Sequence, residues 1–295
     1  MAVWKNIGNM FKLLFGFNSK TTTTTTIYNS TIPSTGGVMK RALHIGINDY
    51  PGTQNDLRGC INDANQWKET ASRKGFNSFV MLLNDQATRS NVKNEMIKII
   101  SESKDGDTLL ITYSGHGSKV ADSMNGDEED KVDETWYLYN GNFVDDEIRE
   151  ILSKIPQGVK ATIVSDSCHS GSITRALLST FNAEGYSKPR YMPPENIVEC
   201  AVVGSIESSR AFAYPESGMN HILIAGASST EYSYDAFFDK PMGALTYYAT
   251  QIIDANPNFT YNQFYDELMK KLPSARYPQT PQLEGPDSLK NSIMF

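Results

Sequence analysis

The sequence predicts an α/β fold, with a mostly parallel central β-sheet flanked by helices on both faces. Short apolar runs rich in β-branched residues recur from residue 41 onward, and stretches of helical periodicity stand between most of them. Parallel neighbours need a crossover of many residues, usually a helix, so this alternation favours a parallel sheet.

"RALHIGIN" (41–48) reads as the first strand and "INDANQWKETASRKG" as a helix, with Gly75 at its end where a glycine relieves the turn. "SFVMLLN" is the next strand, "SNVKNEMIKIISESK" the next helix, and "DTLLITYSG" (107–115) a short, apolar strand. "ETWYLYNGNFV" places an Asn140-Gly141 turn between aromatic arms and predicts a hairpin. "DDEIREILSKI" follows as a helix with an acidic first turn, then "ATIVSDS" (161–167) as a strand. Residues 182–220 carry Gly, Ser and Pro with little periodicity and predict a long excursion. Beyond it, "HILIAGAS" is a strand, "GALTYYATQIIDA" and "TYNQFYDELMKKL" are helices, and "TPQLEG" is a short strand.

Ahead of this region, "NSKTTTTTTIYNSTIPSTGG" (18–37) reads as a low-complexity linker without a packed core. Residues 1–39 are thus expected to be a tail and linker, with "MAVWKNIGNMFKLLFGF" as a surface tail or a short amphipathic helix. The folded domain spans 40–295, divided at the 182–220 excursion into segments 40–181 and 221–295. No run approaches the roughly 20 apolar residues of a membrane span.

A net charge of −7, from 27 Lys and Arg against 34 Asp and Glu, excludes the basic surface that nucleic acid requires and favours basic ligands or peptides. Three widely spaced cysteines, Cys60, Cys168 and Cys200, argue against a disulfide framework and for a reducing, cytoplasmic setting. Four scattered histidines show no zinc-ligand spacing.

Ligands of open α/β sheets bind beyond the carboxyl ends of the strands. There "YSGHGS" delivers His116 between two glycines, and "IVSDSCHSGS" delivers Cys168. A thiol needs a base to become a nucleophile, and His116 is the better-placed base because His169, adjacent to Cys168, should point away. Gly117 can present its N–H beside that of Cys168 as an oxyanion hole. Asp166 shares a strand face with the nucleophile. His44 and His221 read as core or edge histidines, and Asp63 on its own reads as a helix cap.

Together, "YSGHGS" and, about fifty residues later, "DSCHSGS" resemble the catalytic segments of the metacaspases and bacterial orthocaspases, with "RALHIGINDYPG", "LRGCINDA", "NGDEEDKVDETW" and "LIAGASSTEYSYDA" as further matches. The resemblance covers roughly residues 40 to 285. It implies a caspase-like sandwich and a monomeric cysteine endopeptidase cutting protein or peptide substrates after Arg or Lys, with His116 as base and Cys168 as nucleophile. It also implies an acidic specificity pocket from Cys60, Asp63, Ser114 and Asp166, where carboxylates would pair with a guanidinium or ammonium group.

The loop "DSMNGDEEDKVDE" (122–134) concentrates seven carboxylates against one Lys, yet it fails the EF-hand pattern. The resemblance implies calcium at Asp133, Asp145 and Asp146, whereas Arg175 stands where the family has a further aspartate; a solvated acidic loop, with Asp145 capping a helix, is the competing reading. No organic cofactor is expected. Self-processing would use a basic residue of the excursion, among Lys188, Arg190 and Arg210, of which Lys188 precedes a proline and suits least. Two other classes compete: a catalytically silent scaffold of the same fold, which the intact His116 and Cys168 disfavour, and a redox thiol protein, which the lack of a nearby resolving cysteine disfavours.

Overall fold

In the computed structural model, described for the backbone of residues 26–29 and for residues 37–121, 132–168, 188–193, 218–228 and 231–295, two-residue alternation along the strands separates two apolar cores. Strands β1 (Thr26–Asn29), β2 (Lys40–Gly46), β3 (Ser78–Leu83), β4 (Thr108–Ser114), β8 (Lys160–Asp166), β10 (Ile222–Ala225) and β13 (Gln282–Glu284) form one seven-stranded sheet. Its order is β1-β3-β2-β4-β8-β10-β13; the inner five are parallel and the two edges antiparallel. Leu43, Ile45, Leu109, Ile111 and Ile163 enter one core, whereas Ala42, Leu110 and Val164 enter the other. Helices α2 (Arg89–Ser101) and α3 (Asp145–Leu152) cover the first face through Val92, Met96, Ile148 and Ile151. The opposite face is covered by α1 (Cys60–Arg73), α4 (Ala244–Ala255) and α5 (Tyr261–Leu268), through Trp67, Leu245, Ala249 and Phe264. This is the α/β architecture expected from the alternation.

Several local expectations shift. Thr26–Asn29, inside the segment expected to be a linker, pairs with β3 as an edge strand. The hairpin of β6 (Val132–Leu138) and β7 (Gly141–Val144) closes through Tyr139 and Asn140, since Leu138 pairs with Gly141, whose φ of +127° suits only glycine. His116–Ala121, to which the sequence reading assigns no element, forms strand β5 and pairs antiparallel with β6. Lys188–Pro189 (β9), Tyr234–Phe237 (β11) and Pro241–Gly243 (β12) build a third small sheet. Residues 1–17, read as a surface tail or a short amphipathic helix, the acidic loop over 122–131, and Cys200, His169, Arg175 and Arg210 lie outside the described residues. No described helix is long and apolar enough to cross a membrane.

His44 and His221 are structural, as expected. His44 Nδ1 lies 2.9 Å from Thr112 Oγ1 in the core, and burial lowers the His44 pKa to about 3 and that of His221 to about 4. Folded, both stay neutral where the unfolded chain takes up protons, so their contribution is present above about pH 6.5 and is lost as the pH falls toward 4 and 3. The His221 contribution is on the order of a few kcal/mol. His221→Gln should therefore flatten the fall in unfolding free energy between about pH 6.5 and pH 4; an unchanged slope in urea titrations would count against it.

Candidate active site

The parallel register aligns three strand ends: Gly46 pairs with Ser114, and Ser114 with Asp166. The chain segments leaving those ends carry the chemistry. After β2, the loop through Tyr50 and Asn55 returns over His116. Tyr50 Oη accepts the His116 backbone N–H at 2.8 Å, and the two rings tilt together at 4.7 Å between centroids. His116 Nε2 lies 2.6 Å from the carbonyl oxygen of Asn55, so that nitrogen carries the proton. Nδ1 is buried with no hydrogen-bond partner among the described residues, leaving its lone pair as the basic atom. Burial lowers the His116 pKa to about 3, the Asn55 bond opposing, and so keeps the ring neutral.

Cys168 follows β8 and is fully buried; its Sγ contacts the Ser233 N–H and carbonyl oxygen, each at 2.9 Å. Burial pushes its thiol well above the ordinary range. Gly117 lies against it so closely that a Cβ there would stand 1.7 Å from the Cys168 carbonyl oxygen. The Gly117 and Cys168 N–H groups, expected to form an oxyanion hole, converge on one oxygen, the Arg190 carbonyl, at 2.8 and 3.1 Å. They point at one place, as a developing oxyanion requires.

The Arg190 side chain enters the acidic pocket and is fully buried. Its Nη2 bonds Asp63 Oδ2 at 2.6 Å and Asp235 Oδ1 at 3.1 Å, while Nη1 lies 3.1 Å from Asp166 Oδ1. Each carboxylate is held from behind: Asp63 by the Gly243 N–H, Asp166 by Thr246 and Ser233, and Asp235 by the N–H groups of Arg58 and Gly59. Burial pushes Asp63 up to about 7, Arg190 pulling the other way. Gly59 occupies the cap position of α1, so Asp63 does not cap that helix. Cys60 is buried beside the pocket, its thiol raised by burial first, with Arg190 and the three aspartates as further influences; Ser114 is buried at the end of β4.

Segment 188–193 lies through the cleft as an extended peptide would. Lys188 and Pro189 pair antiparallel with Asp235 and Tyr234 of β11, the Arg190 N–H reaches the Ser233 carbonyl at 3.0 Å, and Tyr191 bridges in parallel to Gly117. Met192 continues past it, its N–H on the Gly117 carbonyl and its own carbonyl taking the Ser118 hydroxyl. These main-chain bonds are those of strand addition to a sheet edge.

Residues 40–176 match the family model described as "Metacaspase, peptidase C14 domain". Metacaspase-1 of Schizosaccharomyces pombe is 31% identical over 83% of this chain and 66% of its own. The chain belongs to the metacaspases. Among solved structures, protein GSU0716 of Geobacter sulfurreducens superposes with a TM-score of 0.65 at 26% identity, over 87% of this chain and all of its own. Caspase-1 of Spodoptera frugiperda shares the fold, with a TM-score of 0.55 at 11% identity over 84% and 86% of the two chains. This metacaspase is accordingly a cysteine-type peptidase with a caspase-like sandwich.

Within this metacaspase, Asp133 on β6 and Asp145 at the start of α3 are buried. Asp145 bonds Arg149 one turn on, at 2.9 Å, and Arg149 also pairs with Asp146. Val144 is the cap residue, so Asp145 does not cap the helix. Carboxylate oxygens suit calcium, but here a guanidinium supplies the positive charge, and among the described residues no three His, Cys, Asp or Glu groups are placed to hold a metal ion. Sequence reasoning missed Asp235 and the Asn55 carbonyl. Asp235 sits in a four-residue strand without a pattern of its own, and a backbone carbonyl has no signature in residue type.

Proposed function

We propose that this chain is an endopeptidase that hydrolyses peptide bonds after Arg or Lys through His116 and Cys168, and that the Arg190–Tyr191 bond is its first substrate. The carrying observation is Arg190, with its guanidinium among Asp63, Asp166 and Asp235 and its carbonyl oxygen on the Gly117 and Cys168 N–H groups.

In this mechanism Cys168 Sγ gives its proton to His116 Nδ1 as the sulfur forms a bond to the carbonyl carbon. The two N–H groups hold the resulting oxyanion. When the C–N bond breaks, His116 passes the proton to the departing amine and leaves a thioester. Water, deprotonated by His116, then attacks that thioester; the carboxylic acid departs and the thiol is restored. The resting pair is neutral, thiol and imidazole, because burial raises one and lowers the other. Asn55 keeps the proton on Nε2 and so leaves Nδ1 available.

Calcium activation belongs to the same proposal: Asp133, Asp145 and Asp146 would supply carboxylate oxygens to the ion once Arg149, which holds Asp145 and Asp146 in this structure, swings away. Basic peptides are the substrates, and a monomer in a reducing compartment is the acting form, in keeping with the buried free thiols of Cys60 and Cys168. The test is a panel of fluorogenic peptides ending in Arg, Lys, Gln or Asp, assayed with calcium and with chelator, using wild type and Cys168→Ala. Cleavage after Arg and Lys alone, absent in the variant, is expected. Preference for Asp would sink the acidic pocket, equal rates in Cys168→Ala the nucleophile, and indifference to chelator the calcium site.

A further inference from the structure

Beyond the arginine pocket, we propose that the cleft has a second cation site, built from the carbonyl oxygens of Gln54 and Asp56, which takes the side chain two residues before the arginine and, when filled, positions His116 through the loop they share. This rests on the cleavage-after-arginine reading above.

Lys188 is the occupant of the site in this structure. Its Nζ donates to the Gln54 and Asp56 carbonyl oxygens, each at 2.9 Å. The carbonyl between them, that of Asn55, takes the His116 Nε2 proton at 2.6 Å. Three successive carbonyls of one tight turn thus divide between an ammonium and the imidazole. A compact ammonium has three rotatable donors and can reach two carbonyls at once; an apolar side chain of the same length has none. The loop is tied down elsewhere by the Asp56 carboxylate on the Tyr50 N–H at 3.0 Å and by Tyr50 on His116, so ordering the turn and orienting the ring are one event. The Lys188 charge also lowers the proton affinity of His116, after burial as the larger cause, and so favours the neutral base.

The experiment compares acetyl-Lys-Pro-Arg-aminomethylcoumarin with the norleucine-Pro-Arg peptide, which keeps length and loses charge, on the full chain carrying Lys188→Ala. The lysine peptide should show roughly tenfold or greater kcat/KM, as expected for charge-assisted hydrogen bonds, with much of the gain in kcat and an acid limb of the rate profile at lower pH. Asp56→Asn, which keeps the carbonyl and the acceptor for Tyr50, should retain the preference. Equal kcat/KM for the two peptides would overturn the site, and loss of the preference in Asp56→Asn would overturn its assignment to carbonyls. A difference confined to KM would overturn the coupling to His116. Cleavage of neither peptide would overturn the arginine reading itself, which is a separate failure.

Discussion

Arg190→Gln should abolish cleavage of the chain at its own 190–191 bond and remove the lag before added basic peptides are cut. Wild type should yield a fragment whose new N-terminus is Tyr191; the variant should stay a single polypeptide under the same conditions. Glutamine can still donate to one carboxylate, but it leaves three buried aspartates without a cation. Removing one partner of a buried pair typically costs about 3–5 kcal/mol. Here that cost need not unfold the domain, because segment 188–193 can leave the cleft and admit water. The variant should accordingly lose hydrogen-exchange protection at the Arg190 and Met192 amides, which are bonded to the Ser233 and Gly117 carbonyls. Arg190→Lys keeps a cation and should slow the cut without abolishing it. Processing of Arg190→Gln at the same bond and rate would sink both the self-substrate reading and the latency it implies.

The features legible in the sequence share a physical cause. Strands β2, β4 and β8 are read easily because the middle of each is buried on both faces, which forces runs such as "TLLITYS". His116 and Cys168 stand out because each follows such a run, and Gly117 has to remain glycine for two backbone segments to touch. Short strands escape notice: β9, β11 and β12 have two to four residues, too few for a period to appear. The excursion read as patternless contains Lys188 and Arg190, whose positions are fixed by partners far along the chain, Asp63 and Asp235 for Arg190. Asp235 does two jobs, holding the N–H groups at the start of α1 and facing Arg190, and neither requires a neighbour in sequence.

Gly117→Ala is the substitution expected to damage turnover most while leaving selectivity readable. A Cβ on residue 117 would lie 1.7 Å from the Cys168 carbonyl oxygen and 2.6 Å from its carbonyl carbon, so the obstacle is backbone and cannot rotate aside. Either β5 or the segment carrying Cys168 must move, and both oxyanion donors then lose their common focus. Losing one donor costs about 10²–10³ in kcat, so displacing both should exceed that loss. The arginine pocket is assembled from α1, the end of β8 and β11, whereas the three atoms nearest a Gly117 Cβ all belong to the Cys168 backbone. Residual activity in Gly117→Ala should therefore keep the wild-type preference for Arg over Gln, with kcat reduced far more than KM is raised. A circular dichroism spectrum like that of wild type would separate this from general unfolding. Near-normal kcat would show that the close approach of residues 117 and 168 is not what holds the oxyanion, and the role of the two N–H groups would fall with it.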